Sequence, residues 1–369
     1  IWRTISALFI WAAFLSCFVI YEIASKNSLL DAKPVRVAAR YLVIFIVAFF
    51  MFGVILWLAG KDPLEAIRDT LAYTLGTPTG FSEVIVRMIP LIFTATAVAL
   101  PSRVGLINVG AEGQLYIGGL FSAGIALAFP HLSPWLLLPF MVLGGMAGGA
   151  LWAFLPVVLR VRGLVNETIS TLLMNYIAPT IVAFFVYGPW RSRGAASTPQ
   201  TVDFSDATRL PTFFDTRVHL GVIIALVILG IFWYVMKYTR WGLEMRAVGG
   251  NPQAARRNGI AWARYLILAM CIGGAIAGLA GMSEISGIHG RLRPNFSPGF
   301  GFTGFLISWL AYGNPVGILI MSFVIAIITS GGDILQLKQD LPYAVLNILL
   351  AITLYVVLAK PSFFERKKA

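Results

Sequence analysis

Long stretches without a charged residue alternate with short charged segments along most of this sequence. An α-helix needs about 20 predominantly apolar residues to cross the hydrocarbon core of a bilayer. Residues 41–59 supply 19 uncharged positions in a row. The pattern predicts an all-α, polytopic membrane protein, and its further uncharged stretches cover residues 88–102, 113–159, 168–190, 218–236, 265–283, 294–332 and 341–359.

Two of these stretches are too long for one helix and contain turn signals. A cluster of two prolines and a histidine between residues 130 and 134 divides the first, and Gly313-Asn314-Pro315 divides the second. Residues 300–312 are short for a full crossing, so we expect a tilted or partly re-entrant helix there, surrounded by protein or a water-filled cavity. The chain is thus predicted to have about ten transmembrane helices from residue 41 onward.

Residues 1–20 form a further apolar run ahead of a basic stretch that reaches residue 40. The run is longer than the apolar region of a typical signal peptide and lacks a clear A-x-A cleavage site. We therefore expect an extra N-terminal helix, spanning the membrane or lying at its interface, and a basic cytoplasmic linker. This region, 1–40, precedes the ten-helix region 41–369.

The composition supports the membrane assignment. Apolar residues make up 58% of the chain and charged residues 12%, whereas soluble domains contain about 25% charged residues. Such a chain is neither a soluble enzyme, a disordered polypeptide nor a disulfide-rich scaffold.

The net charge of +12 would also suit a nucleic-acid-binding protein, so the position of the basic residues decides. Residues 237–264 contain six basic side chains against one acid, Glu244, whereas residues 60–83 are net acidic. Counting the spans places these two segments on opposite faces, with the loop 189–218 extracytoplasmic. The positive-inside rule then makes the basic segments cytoplasmic, namely residues 26–40, 160–163, 237–264 and the C-terminal tail. The charge therefore reports topology rather than nucleic-acid binding.

Motifs for catalysis, nucleotide binding or metal binding are missing from the sequence. It contains no P-loop, no H-E-x-x-H and no G-x-S-x-G. Its two cysteines, Cys17 and Cys271, lie inside apolar runs, where burial as small apolar groups is their expected use. We expect no catalytic residue, no metal site and no cofactor in this chain.

Residues 103–119 (RVGLINVGAEGQLYIGG) combine five glycines with polar side chains beside an apolar span. Ionisable residues at membrane depth are costly and usually functional. On a regular helix Asn108 and Glu112 would share a face, but Gln114 would point about 200° away from Glu112. All three can face one path only if the helix breaks near Gly110 or Gly113. Two interpretations stay open: the polar side chains satisfy the backbone of a broken helix, or they line a translocation path.

Residues 165–178 (VNETISTLLMNYIA) place Thr168, Thr171 and Asn175 on one helical stripe after Glu167. Such a stripe can form hydrogen bonds between helices, worth about 0.6 kcal/mol each on average. It can equally form part of a polar lining. We favour interhelical hydrogen bonding without excluding the lining.

The basic segment 237–264 differs from a span because it has too little apolar surface. Asn251-Pro252 predicts a helix start, with Asn as N-cap and Pro at the first helical position, and Gly259 predicts its end. The resulting helix of about seven residues would be marginal alone in water, so it needs a surface to pack against. It is either a topology signal or a docking element for a cytoplasmic motor.

Four blocks of this sequence resemble one family. They are residues 103–119, residues 165–178, TRWGLEMRAVGGNPQAARRNGI (239–260) and GFGFTGFLISWLAYGNPVG (299–317). The chain is similar to permeases of ATP-binding-cassette (ABC) transporters in the branched-chain amino acid and ribose-type superfamily, above all to the nucleoside (simple-sugar) import permeases. The resemblance extends from about residue 41 to the end.

The resemblance implies a subunit of about ten helices in the bacterial plasma (inner) membrane, with a translocation path where two permeases meet. It further implies a second permease (a copy or a paralogue), two separate ATPase subunits that bind ATP and Mg, and an extracytoplasmic substrate-binding protein. Residues 250–259 occupy the place of the family's coupling helix. The candidates for the ATPase coupling site are therefore Gly250, Asn251, Pro252, Ala254, Ala255, Arg256 and Gly259.

Two functional hypotheses follow. The first is the membrane subunit of an ATP-driven importer of nucleosides or related sugars, with a translocation path lined by Asn108, Glu112, Gln114, Thr168, Thr171 and Asn175. The second is a secondary transporter driven by H⁺ or Na⁺, with Glu112 as the coupling carboxylate. The first explains why a polar, glycine-rich interior occurs with a basic docking segment and without an energy-providing site.

Overall fold

The computed structural model describes residues 50, 53–54, 56–57, 60–192, 199–339 and 348. Within these residues the chain is helical, without a β-strand, and one isolated bridge pairs Thr212 with His219. The all-α prediction is confirmed. The helices are α1 (Pro63–Thr74), α2 (Pro78–Ser102), α3 (Ala111–Ala128), α4 (Pro134–Val161), α5 (Glu167–Tyr187), α6 (Gly221–Tyr238), α7 (Arg240–Gly250), α8 (Pro252–Arg257), α9 (Trp262–Glu284), α10 (Phe300–Leu310) and α11 (Pro315–Gln339).

Six of these helices are long and apolar enough to cross a membrane: α2, α4, α5, α6, α9 with its π-helical extension Ile285–His289, and α11 up to Asp333. Helix α10 is apolar but has only 11 residues, as the short-helix prediction expected. The predicted N-terminal helix within residues 1–40 and the predicted span 341–359 lie outside the described residues, apart from helical residue 348. Of the predicted span 41–59, only five residues are described, all of them helical.

The predicted breaks are present. Helix α3 ends at Ala128 and α4 begins with Pro134 at its first turn, so the cluster around residue 130 separates two helices. Helix α10 ends at Leu310, and Gly313 adopts a left-handed conformation (φ +63°) before α11 begins. A left-handed residue followed by a proline ends a helix and redirects the chain.

Three helical segments were not predicted, because charged residues interrupt their apolar pattern. Helix α1 lies in the acidic segment 60–83, where the Asp62 carboxylate accepts hydrogen bonds from the N–H groups of Leu64 (2.8 Å) and Glu65 (3.3 Å). Helix α2 begins at Pro78, well before the predicted start at residue 88. Helix α7 lies in the basic segment 237–264.

The described residues form two compact units, one within 1–81 and 327–369 and the other within 82–326. In the first unit the end of α11 packs against α1. The Lys338 ammonium lies 2.9 Å from an Asp69 carboxylate oxygen, and a Cβ added at Gly331 would lie 2.1 Å from the Thr70 methyl group.

In the second unit, α9 packs against both α3 and α4 through glycines. A Cβ at Gly278 would lie 2.0 Å from the Gly145 carbonyl oxygen, and a Cβ at Gly149 would lie 2.0 Å from the Gly274 carbonyl oxygen. Small residues let helix backbones approach this closely, and dispersion between the backbones then stabilises the contact. We call α3, α4 and α9 the glycine-packed core.

Candidate functional site

The polar stretch 103–119 is unwound in its first half. Residues 103–110 are turn and irregular structure between α2 and α3, with Gly105 at φ +80°, and Gly110 is the N-cap of α3. The regular helix therefore starts at Gly110, one of the two glycines where a break would let the three polar side chains face one path. We call residues 103–110 the unwound segment.

The break brings two amide side chains together. Asn108 Nδ2 donates to Gln114 Oε1 at 3.0 Å, and Gln114 Nε2 donates to Asn108 Oδ1 at 3.1 Å. Asn108 Oδ1 also accepts from the Gly110 N–H at 3.0 Å. Both side chains are buried. A regular helix would have kept them on different faces, so this pair depends on the unwound backbone.

Helix α5 supplies hydrogen-bond partners for the unwound segment. Asn175 accepts from the Gly113 N–H at 2.8 Å and donates to the Val109 carbonyl at 2.7 Å. Thr171 Oγ1 accepts from the Val109 N–H at 3.3 Å, and Glu167 Oε1 accepts from the Ile107 N–H at 3.3 Å. Buried backbone groups outside regular structure need such partners. In this conformation Glu167, Thr171 and Asn175 of α5 therefore hydrogen-bond mainly to the unwound segment, and Asn175 also bonds to α3 at Gly113.

Thr168 does not belong to this contact. Its side chain is half-buried and makes no hydrogen bond to the described residues, whereas Glu167 is buried and contacts the unwound segment. Glu167 also lies 3.0 Å from the Arg160 guanidinium. The buried face of α5 thus begins at residue 167 rather than at residue 168, in agreement with the i, i+4, i+8 spacing of Glu167, Thr171 and Asn175.

Glu112 joins α3 to the N-terminus of α10. Its Oε2 accepts a hydrogen bond from the Gly301 N–H at 2.6 Å, and its side chain is buried. A Cβ at Gly301 would lie 2.1 Å from the Glu112 backbone nitrogen, so the two helices meet there without a side chain between them. Ser297 Oγ accepts from the Gly299 and Phe300 N–H groups at 3.3 and 3.2 Å. A carboxylate at a helix N-terminus satisfies free amides and interacts favourably with the helix dipole.

The basic segment contains the predicted short helix. Asn251 Oδ1 accepts from the Gln253 and Ala254 N–H groups at 3.1 and 3.0 Å, Pro252 occupies the first position, and α8 has six residues. Gly259 follows with φ +78°, a left-handed conformation that favours glycine. The cap and the stop were both predicted from the sequence.

Most of the candidate docking side chains of this segment are exposed. Ala255 differs, since it is only 4% exposed and packs against the rest of the chain. Its side chain therefore helps to hold α8 against the rest of the chain. The Arg256 guanidinium lies 4.7 Å from the centre of the Trp262 ring. The exposed candidates are Gly250, Asn251, Pro252, Ala254, Arg256 and Gly259.

Helix α7 is fixed to its neighbours by polar contacts. The Glu244 carboxylate accepts from the Tyr265 hydroxyl and from Arg240 Nε at 2.7 Å. The hydrogen bonds from these two donors, above all the one from the Tyr265 hydroxyl, hold the pKa of the Glu244 carboxyl below its usual range. The Arg246 guanidinium donates to the Met236 carbonyl near the end of α6. Cations near the C-terminus of a helix satisfy its last carbonyls.

Residues 199–220 fold against the end of α9 and the turn that follows it. The Phe204 N–H donates to the Gly290 carbonyl at 2.9 Å, and Arg291 lies 2.8 Å from Asp203. His219 is fully buried in this contact. Burial, together with the nearby Arg217, lowers the pKa of His219 to about 4, so its imidazole is neutral at physiological pH.

An apolar cavity of about 550 Å³ lies between α3, α4 and α5. The sequence does not reveal this cavity, because its aromatic side chains come from separate parts of the chain and no local pattern links them. They are Phe121 of α3, Phe129 directly after α3, Trp152 of α4, Phe185 of α5 and Trp190. Within the described residues, no group of His, Cys, Asp and Glu side chains could hold a metal ion.

Comparison with known proteins places this architecture in a family. The family described as "Branched-chain amino acid transport system / permease component" matches residues 80–357. The chain is 34% identical to the glucose ABC transporter permease protein TsgB13 of Haloferax volcanii over 85% of each chain. It is 30% identical to the nucleoside ABC transporter permease protein NupB of Lactococcus lactis subsp. cremoris, over 86% of this chain and 90% of that protein.

A third relative is the guanosine ABC transporter permease protein NupP of Bacillus subtilis, 30% identical over 74% of this chain and 80% of that protein. No solved structure matches the chain. The family match covers the glycine-packed core, the unwound segment and helices α7 and α8. The chain therefore belongs to the family of branched-chain amino acid transport system permease components, the membrane permease subunits of ABC transporters.

Proposed function

We propose that this permease imports nucleosides or related sugars by alternating access, powered by separate ATPase subunits. The observation that supports it best is the similarity, at 30–34% identity over most of the chain, to permeases named for nucleosides, guanosine and glucose. The buried polar groups around the unwound segment give the proposal a physical basis, because such groups are retained among apolar helices only where they have a role.

The proposed translocation path lies near Asn108, Glu112 and Gln114 and the α5 residues Thr168, Thr171 and Asn175. In the conformation described here, the residues other than Thr168 bond to one another or to backbone groups. Alternating access requires a second packing of the helices, in which some of these hydrogen bonds pass to substrate or water. An irregular backbone at membrane depth is tolerated where it is surrounded by protein or lines a cavity. The unwound segment is the described part of the chain best suited to such a change.

The ATPase subunits are proposed to dock on α8 and its flanking glycines. Asn251, Pro252, Ala254 and Arg256 present exposed surface there. ATP and Mg belong to those subunits. A second permease, either a copy or a paralogue, completes the path, and an extracytoplasmic binding protein delivers the substrate. Residues 41–369 form the permease domain, with residues 1–40 as a separate N-terminal element.

We place the protein in the bacterial plasma membrane with residues 237–264 and the C-terminus in the cytoplasm. The excess of basic residues in this segment supports that orientation. Single cysteines at Arg257 and Asp206, both exposed, test it in a variant whose two native cysteines are replaced by alanine. A membrane-impermeant maleimide added to intact cells should label Asp206→Cys and leave Arg257→Cys unmodified until the membrane is opened. The reverse pattern would invert the topology.

The function is tested by uptake into proteoliposomes that contain the full complex. Labelled guanosine or glucose should accumulate only with ATP on the ATPase side, and dissipating ion gradients with ionophores should leave accumulation intact. Accumulation by the permease without ATPase subunits would contradict the proposal, as would accumulation that the ionophores abolish while ATP is present. That second result would favour the ion-coupled alternative, in which Glu112 would have to leave its hydrogen bond to Gly301 and bind the coupling ion.

A further inference from the structure

Helix α7 touches the unwound segment directly at its C-terminal end. A Cβ added at Gly249 would lie 2.3 Å from the Arg103 carbonyl oxygen and 3.3 Å from the Gly105 nitrogen. From the other side, a Cβ at Gly105 would lie 3.7 Å from both the Cα and the carbonyl oxygen of Gly249. The two backbones therefore meet with no side chain between them. Such a contact transmits displacement with little compliance, because no rotamer change can absorb it.

Gly249 lies one position before the end of α7, next to the proposed docking helix. Only Asn251 separates α8 from α7, whereas residues 258–261 separate α8 from α9. A displacement of α8 therefore reaches the end of α7 before it reaches the membrane-spanning helix α9. Helix α7 is in turn fixed to α6 by Arg246 and to α9 by Glu244, so its position is defined at several points.

The unwound segment, on the other side of this contact, is hydrogen-bonded to the buried polar side chains of α3 and α5. The unwound segment bonds to α5 through Ile107 and Val109, and Asn108 pairs with Gln114 at the start of α3. Two residues before Gln114, Glu112 bonds to the N-terminus of α10. A shift of residues 103–105 is thereby passed to three helices.

We propose that Gly249 is the positioning residue that transmits movement of α8 to the unwound segment, through its backbone contact with Arg103 and Gly105. This inference rests on the proposed ATP-driven function and specifies the route by which the motor reaches the path. The physical requirement is the absence of a side chain at position 249, which lets α7 and the unwound segment move as one body.

The test is Gly249→Ala in the full reconstituted complex, measured as substrate molecules taken up per ATP hydrolysed. Gly230→Ala in α6 is the matched control, since it makes the same change in a helix where a Cβ meets nothing within 4 Å. We expect Gly249→Ala to lower the uptake per ATP by a factor of about five or more, within the usual range of coupling between sites. ATP hydrolysis and complex assembly should persist. Coupling equal to that of Gly230→Ala would overturn the inference.

A second pair of variants covers the case in which Gly249→Ala fails to assemble. Two extra glycines between Gly250 and Asn251 make the connection from α8 to α7 flexible, whereas the same insertion between Ile260 and Ala261 makes the connection to α9 flexible. The first insertion should uncouple hydrolysis from uptake, and the second should leave coupling close to wild type. Equal effects of the two insertions, or uncoupling by the second alone, would overturn the route through α7.

These experiments separate the two proposals. Wild-type complex without ATP-dependent uptake would refute the function and with it the route. Wild-type complex with ATP-dependent uptake, together with full coupling in Gly249→Ala, would leave the function standing and remove Gly249 from it.

Discussion

The glycine-packed core and the α7–α8 segment are stabilised by different kinds of interaction. In the core, backbones of α3, α4 and α9 touch, and the defining property of the sequence is the absence of side chains at positions such as Gly149 and Gly278. In the α7–α8 segment, most residues are exposed and, apart from the backbone contact at Gly249, the structure depends on caps, charges and a left-handed glycine. Substitutions in the core should therefore act on folding, and substitutions in the segment should act on coupling.

The largest effect is expected at the helix contact in the core. Gly278→Leu places a side chain where the Gly145 carbonyl lies, and a backbone carbonyl cannot rotate away as a side chain can. We expect loss of folded protein, at a cost above the roughly 1–3 kcal/mol of ordinary overpacking. Gly230→Leu in α6 is the control, because the space around it is open. Size-exclusion profiles in detergent measure the result, and a normal profile for Gly278→Leu would refute the contact.

Glu112 provides the next test, since it connects the core to α10. Glu112→Ala removes the acceptor of the Gly301 N–H and leaves a buried donor unsatisfied. The expected loss of stability is about 3 kcal/mol, accompanied by impaired transport. Glu112→Gln retains a carbonyl acceptor and should lose markedly less stability. Thermal unfolding of the two variants and labelled uptake give the comparison, and wild-type behaviour of Glu112→Ala would remove Glu112 from both roles.

Asn175 tests whether the α5 stripe is structural. Asn175→Ala removes the partners of the Gly113 N–H and the Val109 carbonyl, which should cost about 2 kcal/mol. Thr168→Ala, at a half-buried position without a side-chain hydrogen bond to the described residues, should change stability by less than about 0.5 kcal/mol. Thermal unfolding checks both variants. Equal effects would show that the hydrogen bonds to the unwound segment do not stabilise it.

The smallest effect on stability is expected in α8. Asn251→Ala removes an N-cap worth about 1 kcal/mol to the helix. Because α8 is short and exposed, the loss should appear as weaker association with the ATPase subunits rather than as unfolding of the permease. Gln253→Ala, on the same exposed helix without a capping role, is the control. Co-purification of the ATPase subunits measures the effect, and unchanged association would exclude a contribution of the cap.

Within the described residues, the sequence was sufficient for the helices that consist mainly of uncharged residues, although α2 begins at Pro78 and not at residue 88. The breaks near residue 130 and at Gly313, the short α10, and the start and stop of α8 all follow from local chemistry. Helices α1 and α7 were not predicted, because a search for long uncharged stretches passes over helices that contain charged side chains. Ala255 was a docking candidate, yet it is buried, since burial of one face of a short exposed helix depends on its neighbours.

The sequence pointed to buried polar residues around the unwound segment but not to their contacts. Asn108, Glu112, Gln114, Thr171 and Asn175 stood out as polar groups in apolar surroundings. Their partners did not, because Gly301 is 189 positions from Glu112 and has no side chain to mark it. Nothing in the sequence singled out the contact at Gly249 either, since a glycine near a helix end has many local explanations.

The sequence alone indicated a helical membrane protein and pointed to Gly110 and Gly113 as the positions where its polar helix could break, because hydrophobicity and turn chemistry are local properties of the chain. Four sequence blocks added the resemblance to ABC permeases. Only the tertiary structure decided which polar groups pair, which glycines are contact points and that Gly249 meets the unwound segment. Such contacts join residues far apart in sequence. Where two backbones touch, the residues that make the contact possible are glycines, so no side chain marks the contact in the sequence.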